Sequence, residues 1–161
     1  MNDQPDDAPV FTAIRALLDG HGVAYRTIHH EPTTTSAASA SARGEPLEVG
    51  GKAIVLTLDD AYKLIVLSAA RKPDSAAVKK RFAVRKSRFA SPDELMKLTG
   101  LVPGAVPPFG RPVLDLDLYV DESVTRNERI AFNAGSLTDS IVMGTDDYLR
   151  VCGGEVVGSC R

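Results

Sequence analysis

Val49-Gly50-Gly51-Lys52-Ala53-Ile54-Val55-Leu56-Thr57-Leu58-Asp59-Asp60-Ala61-Tyr62-Lys63-Leu64-Ile65-Val66-Leu67-Ser68 is the stretch that decides the fold. Val49–Leu58 and Tyr62–Ser68 are rich in β-branched residues and leucine. Asp59-Asp60-Ala61 between them is a turn signal, so the pair reads as a hairpin at the centre of a sheet. Upstream, Val10, Ile14, Leu17 and Leu18 recur at helical spacing, with Asp7 as cap, Pro9 in the first turn and Gly20 as the stop. Ala24–His29 reads as a short strand closed by Pro32, and a Ser/Ala-rich helix capped from Thr33–Ser36 runs to Ala42 and stops at Gly44.

Downstream, Asp74–Phe82 is helical in pattern. Ser91-Pro92-Asp93-Glu94 carries a cap, a first-turn proline and a capping box, opening a helix that ends at Gly100. Leu101–Pro112 is too rich in proline and glycine for regular structure. Val113–Val120 alternates apolar and polar residues as a half-wet strand does, Arg129–Asn133 and Ser140–Met143 complete the strands, and Thr145–Val151 forms a last helix. Strands and helices interleave irregularly. The expectation is therefore a mixed α+β fold: one central, largely antiparallel sheet surrounded by helices, rather than a doubly wound parallel sheet.

The 161 residues suit a single domain over 1–161, with an acidic, polar start at 1–8 expected to be flexible. With 43% apolar residues, the chain can bury a full core. A net charge of −2 offers no global attraction to nucleic acid, so any phosphate-binding surface must be local. No export signal or membrane-length apolar run is present, so a soluble, cytoplasmic protein is expected. Cys152 and Cys160, separated by seven residues, form neither a CxxC pair nor a disulfide framework.

Four features could carry chemistry. Gly50-Gly51-Lys52 heads a strand, where two glycines permit close approach and the lysine is either a solvated strand end or a cation positioned for a phosphate or a developing oxyanion. Gly104-Ala105-Val106-Pro107-Pro108-Phe109 is a pre-organised loop, either a connector or a pocket rim with Phe109 as a wall. Asn133-Ala134-Gly135-Ser136 joins two strands, either as a plain turn or as a presenter of N–H and hydroxyl groups. Arg71 to Arg88 holds eight of the 19 basic residues against one acid, Asp74. That local charge of +7 is either a solvated face or a phosphate track. His29-His30-Glu31 reads as a strand end or a fragment of a metal or base site. No GxSxG, P-loop, HExxH or GxGxxG is present.

In order, His30-Glu31-Pro32 before a Ser/Ala helix, Gly51-Lys52-Ala53, Gly104 to Gly110, Val120-Asp121 and Asn133-Ala134-Gly135-Ser136 resemble the YbaK/ProX-like aminoacyl-tRNA deacylases, free-standing relatives of the bacterial prolyl-tRNA synthetase editing domain. The resemblance runs from Val10 to Arg150. It implies hydrolysis of the ester joining a wrong small amino acid, such as alanine or cysteine, to a tRNA, usually a prolyl-tRNA, without metal or cofactor. It makes Lys52 the catalytic residue and assigns Gly104, Pro108, Gly135, Ser136 and His30 to substrate binding. The basic segment offers Lys79, Lys80 and Arg81 for tRNA. The implied partners are aminoacyl-tRNA and a synthetase, with no membrane and no DNA. Such editing serves where a synthetase pocket separates substrates by only ~1–3 kcal/mol. A noncatalytic tRNA- or synthetase-binding module of the same fold is the alternative.

Overall fold

The structure is a computed structural model that describes residues 9–158; the expected flexible start, the Asp7 cap and Cys160 lie outside them. α1 (Pro9–Gly20) buries Ile14 and Leu18 of the predicted apolar stripe together with Phe11, while Val10 and Leu17 of that stripe are half-buried. β1 (Tyr25–His29) leads to α2 (Ser36–Arg43), where Thr35 Oγ1 accepts from Ala38 N and Gly44 ends the helix at φ 69°. The central hairpin is β2 (Gly51–Leu58) and β3 (Ala61–Ser68), antiparallel from Gly51↔Ser68 to Leu58↔Ala61. α3 (Ser75–Phe82) is capped by Asp74, whose carboxylate accepts from Ala76 N and Ala77 N. β4 (Ser87–Phe89) precedes α4 (Pro92–Thr99), which has the complete Ser91/Glu94 capping box. β5 (Leu118–Asp121), β6 (Arg129–Asn133), β7 (Asp139–Gly144), α5 (Thr145–Val151) and β8 (Glu155–Val157) follow.

The mixed α+β class is as expected, but the strands form two sheets instead of one. An antiparallel sheet has the order β1-β7-β6, and a mixed one has the order β4-β2-β3-β5-β8, with β3, β5 and β8 parallel. Their direct backbone link is an isolated bridge between Gly50 and Ala131. The main core lies between them, with α1, α4 and α5 contributing, and centres on Phe109, Phe132 and Tyr148 in edge-to-face contact. The other face of the five-stranded sheet packs Leu56, Leu58 and Ile65 against Val78 of α3.

The expected strand over Val113–Val120 shrinks to Leu118–Asp121. The alternation is real, since Leu114, Leu116 and Leu118 are all buried. It arises from a turn: Val113 N and Leu114 N both bond Gly110 O, and Arg111 clamps Asp115 and Asp117. β4 and β8 have three residues each and carry no strand pattern long enough to read. Asp121 ends β5 by accepting from Ser123 N. No helix among the described residues is long and apolar enough to cross a membrane.

Candidate active site

Where the two sheets meet, α2 closes over the start of β2 and leaves a cavity of about 100 Å³. Pockets for drug-sized ligands are typically ~300–1,000 Å³, so this one suits a small group. The segment leading into α2 and the helix itself contribute Thr33, Ser36, Ser39 and Arg43; β2 contributes Lys52 and Ala53, the proline-rich loop Gly104 and Val106, and the end of β6 Asn133. Two of the lining residues, Lys52 and Arg43, are cationic, and none is Asp, Glu, His or Cys. Hydroxyls dominate the α2 side, where Thr33 Oγ1 and Ser39 Oγ, both buried, lie 2.7 Å apart. One hydroxyl proton holds that pair together, leaving the other for a further acceptor.

Arg43 organises the floor. Only 9% exposed, it donates Nε to Ser140 Oγ at 2.9 Å and Nη2 to Asn133 Oδ1 at 3.0 Å. Burial lowers its guanidinium to about 10, while Glu45 raises it; it remains charged at neutral pH. The Glu45 carboxylate bonds Arg26 and Arg129, so the Arg43 charge faces polar neutral partners. Asn133 Nδ2 donates to Gly104 O at 2.8 Å, tying the loop to β6. His30 Nδ1 lies 2.8 Å from Glu31 O, which can only accept, and its Nε2 lies 2.8 Å from Ser140 Oγ, which itself donates to Asn133 Oδ1 at 3.1 Å. A chain of hydrogen bonds therefore runs from Arg43 through Ser140 to His30.

Of the residues proposed from sequence, Lys52 and Gly104 line the cavity. His30 stands outside it, one hydrogen bond behind Arg43's partner. Pro108 is buried, its carbonyl accepting from Tyr148 Oη at 2.6 Å, and Phe109 is a core ring rather than a pocket wall. Gly135, at φ +81°, is pressed against α1: an added Cβ would lie 2.7 Å from Val10 Cγ1. Ser136 closes its own turn through Thr138 and Asp139. The Gly50-Gly51 pair does mark close approach, but protein fills the space, with Ala69 and Arg43 against Gly50 and Ile130 against Gly51. On α3, Arg81 is ion-paired with Glu155, while the side chains of Lys79 and Lys80 have no partner among the described residues. Arg43 escaped the sequence reading, Asn133 entered it only as the start of a strand connection, and Ser140 only as the start of a strand. Thr33 and Ser39 were read as a cap and as helix filler.

The site is thus a small cavity between α2 and the two sheets, lined by hydroxyls and two cations, with no Asp, Glu, His or Cys among its lining residues. The aminoacyl-tRNA editing domain model matches residues 30–151, and the chain belongs to that family. It is 36% identical over 153 residues, 91% of this chain and 90% of the relative, to a protein of Escherichia coli K12 named multifunctional Ser/Thr-tRNA deacylase ProXp-y. It is 28% identical over 117 residues, 73% of this chain, to a proline–tRNA ligase of Shouchella clausii, of which it matches 20%. Among solved structures, a protein described as a proposed trans-editing enzyme for prolyl-tRNA synthetase superposes with a TM-score of 0.84 at 22% identity, covering 99% of both chains. That likeness speaks for the fold.

Proposed function

We propose that the protein removes serine or threonine from mischarged tRNA in trans. Hydrolysis of the aminoacyl-tRNA ester is the activity that membership in the family carries; the proposal concerns the acyl group and the residues that act on it. The observation that carries it is the composition of the cavity: small, lined by threonine and serine hydroxyls, bearing two cations and no acid. A site that hydrogen-bonds a substrate hydroxyl discriminates strongly against the analogue lacking it, because its own polar groups are otherwise left unpaired. Thr33 and Ser39 would receive the hydroxyl of a seryl or threonyl group, a better fit to this lining than alanine or cysteine. The name of the E. coli relative supports the same assignment.

In the reaction, water adds to the ester carbonyl, the bond to the terminal ribose oxygen breaks, and that oxygen takes a proton. The oxygen that becomes negative in between needs donors held in place in advance, and such preorganisation supplies the larger part of many rate enhancements. Lys52 projects from the rigid edge of the hairpin to serve as that cation or to hold the terminal phosphate. Arg43 adds a second positive field from the floor, and the Gly104 loop, pinned by Asn133, limits where the ester can lie. The tRNA body would follow Lys79 and Lys80 on α3, whose Val78 packs on the sheet face that also carries Ile54 and Leu56. Alternation along β2 puts Lys52 on that face as well. Arg81, engaged with Glu155, is the weaker of the three proposed contacts.

The test is a panel of tRNAs charged with serine, threonine, alanine or cysteine, incubated with the wild type and Lys52→Ala. Ester loss from the seryl and threonyl members with the wild type, reduced ~10²–10³-fold in Lys52→Ala, is the expected result. Preferred cleavage of the alanyl or cysteinyl member refutes the specificity, and tight binding without turnover on any member replaces the enzyme with a binding module.

A further inference from the structure

One edge of the five-stranded sheet ends in an aromatic ring that no part of the described chain covers. Phe89, the last residue of β4, is 61% exposed. The register pairs it with Leu56 of β2, and directly opposed residues of antiparallel strands share a face. That face carries α3, and the two-residue period of β2 extends it through Ile54 to Lys52. Four residues at ~3.3 Å and one strand spacing of ~4.8 Å set the two Cα positions about 14 Å apart. At ~3.4 Å per stacked nucleotide, that distance is roughly four nucleotides of a single strand.

The surroundings of the ring say what could cover it. Arg85 and Lys86, immediately before β4, are exposed, and their side chains have no partner among the described residues; on α3 the exposed Lys80 and the half-buried Lys79 have none either. Arg88 is held by a two-bond fork to Glu94, at 2.7 and 3.0 Å, and Asp59 accepts from the backbone of Arg85 and Lys86. The ring is thus presented from an anchored backbone among unpaired cations. A phenyl face beside such charges matches single-stranded nucleic acid, whose bases stack on aromatic rings while basic groups track the phosphates.

We propose that Phe89 is a stacking platform for an unpaired base of the tRNA 3′ end, upstream of the terminal adenosine held near Lys52. The inference rests on the deacylase reading above and adds a contact outside the reaction centre. Its role is binding, so it should act on KM and leave the chemistry unchanged.

The chain has no tryptophan, so Phe89→Trp installs a single reporter at an exposed position. A short single-stranded RNA ending in CCA should quench its fluorescence in a saturable, salt-sensitive way, while a blunt RNA duplex should not. With seryl-tRNA, Phe89→Ala should raise KM by about 5- to 100-fold with kcat unchanged, and Phe89→Tyr should restore the wild-type value. With seryl-adenosine, which lacks the upstream bases, Phe89→Ala should match the wild type. Absence of quenching by the CCA strand, an unchanged KM on seryl-tRNA, or an equal loss on seryl-tRNA and seryl-adenosine each overturns the proposal. A wild type inactive on all esters would instead overturn the deacylase reading, and the fluorescence titration would still decide whether Phe89 meets RNA.

Discussion

Gly135→Ala separates two accounts of the same glycine, one as a wall of the substrate pocket and one as a seat for α1. Gly135 holds φ +81°, and a Cβ there would lie 2.7 Å from Val10 Cγ1 and 2.8 Å from Val10 Cβ. The left-handed backbone costs an L-residue ~1–2 kcal/mol. Because Val10 Cβ sits directly on the helix backbone, a rotamer change cannot clear the clash, and overpacking of this kind adds ~1–3 kcal/mol. A total of ~3 kcal/mol would lower Tm by roughly 6–12 °C at this chain size. Thermal and urea denaturation measure the loss. In a Val10→Gly background, which removes both Val10 atoms, the steric part disappears and Gly135→Ala should cost only the backbone part, so the double-mutant cycle should show coupling of ~1–2 kcal/mol. Deacylation per folded molecule should stay at the wild-type rate. A variant of wild-type stability with lost or altered substrate selection would refute the reasoning and return Gly135 to the pocket.

Ser39→Ala should narrow the preference for seryl- over alanyl-tRNA by ~10- to 100-fold, read as the ratio of kcat/KM values, because Thr33 loses its partner and the substrate hydroxyl loses its acceptor. Asn133→Asp keeps an acceptor for Arg43 but sets a carboxylate oxygen against the Gly104 carbonyl in place of the N–H that bonds it at 2.8 Å. It also brings a negative charge into an acid-free site, and kcat should fall at least ~10-fold in single-turnover assays. Arg88 first, then the Ser91 backbone N–H and the Tyr62 hydroxyl, hold the Glu94 carboxyl well below its usual range. The stability this lends is complete above the unfolded carboxyl's 4.5 and is lost as pH falls below it, so the Tm difference between wild type and Glu94→Gln should be present at pH 7 and shrink steadily in acid. Thr145 Oγ1 is buried without a hydrogen-bond partner among the described residues, so Thr145→Val should leave the unfolding free energy from urea titration unchanged or raise it by up to ~1 kcal/mol.

Local chemistry wrote the helices and the hairpin into the sequence plainly. The cap at Ser91 and the glycine stops at Gly44 and Gly100 act over three or four residues, and each operates in the structure as read, while Asp74, read as the first helical residue, proves to be the cap of its helix. Division into two sheets was illegible because it turns on which strands find each other across long separations, and β4 and β8 are too short to show a period. Leu114 and Leu116 misled for a related reason: a tight turn can bury every second residue as a strand does. At the site, Lys52 and Gly104 stood out beside glycine and proline signals. Arg43 and Ser140 did not, and Asn133 stood out only as part of a turn beside Gly135, since what these residues do depends on bonds spanning 90 to 97 residues. Gly135 shows the limit of a glycine signal, which announces a close approach without naming what approaches.

The backbone bridge between the sheets explains why the site sits where it does. Gly50 meets Ala131 there, and a Cβ at Gly50 would lie 3.1 Å from Ala69 Cβ and 3.2 Å from Leu47 O, so the joint is tight enough that a larger residue would have to push its neighbours back. The first strand residues beyond it, Gly51 and Lys52 on one side and Asn133 on the other, are thereby fixed relative to each other by backbone rather than by flexible side chains. Arg43 then spans the joint from α2 with hydrogen bonds to Ser140 and Asn133 of the three-stranded sheet, while Lys52 belongs to the five-stranded one. Tied to different sheets, Arg43 and Lys52 thus line the same small cavity. An oxyanion developing there would gain more from two cations fixed in advance than a neutral ester would, which is the differential stabilisation that catalysis requires.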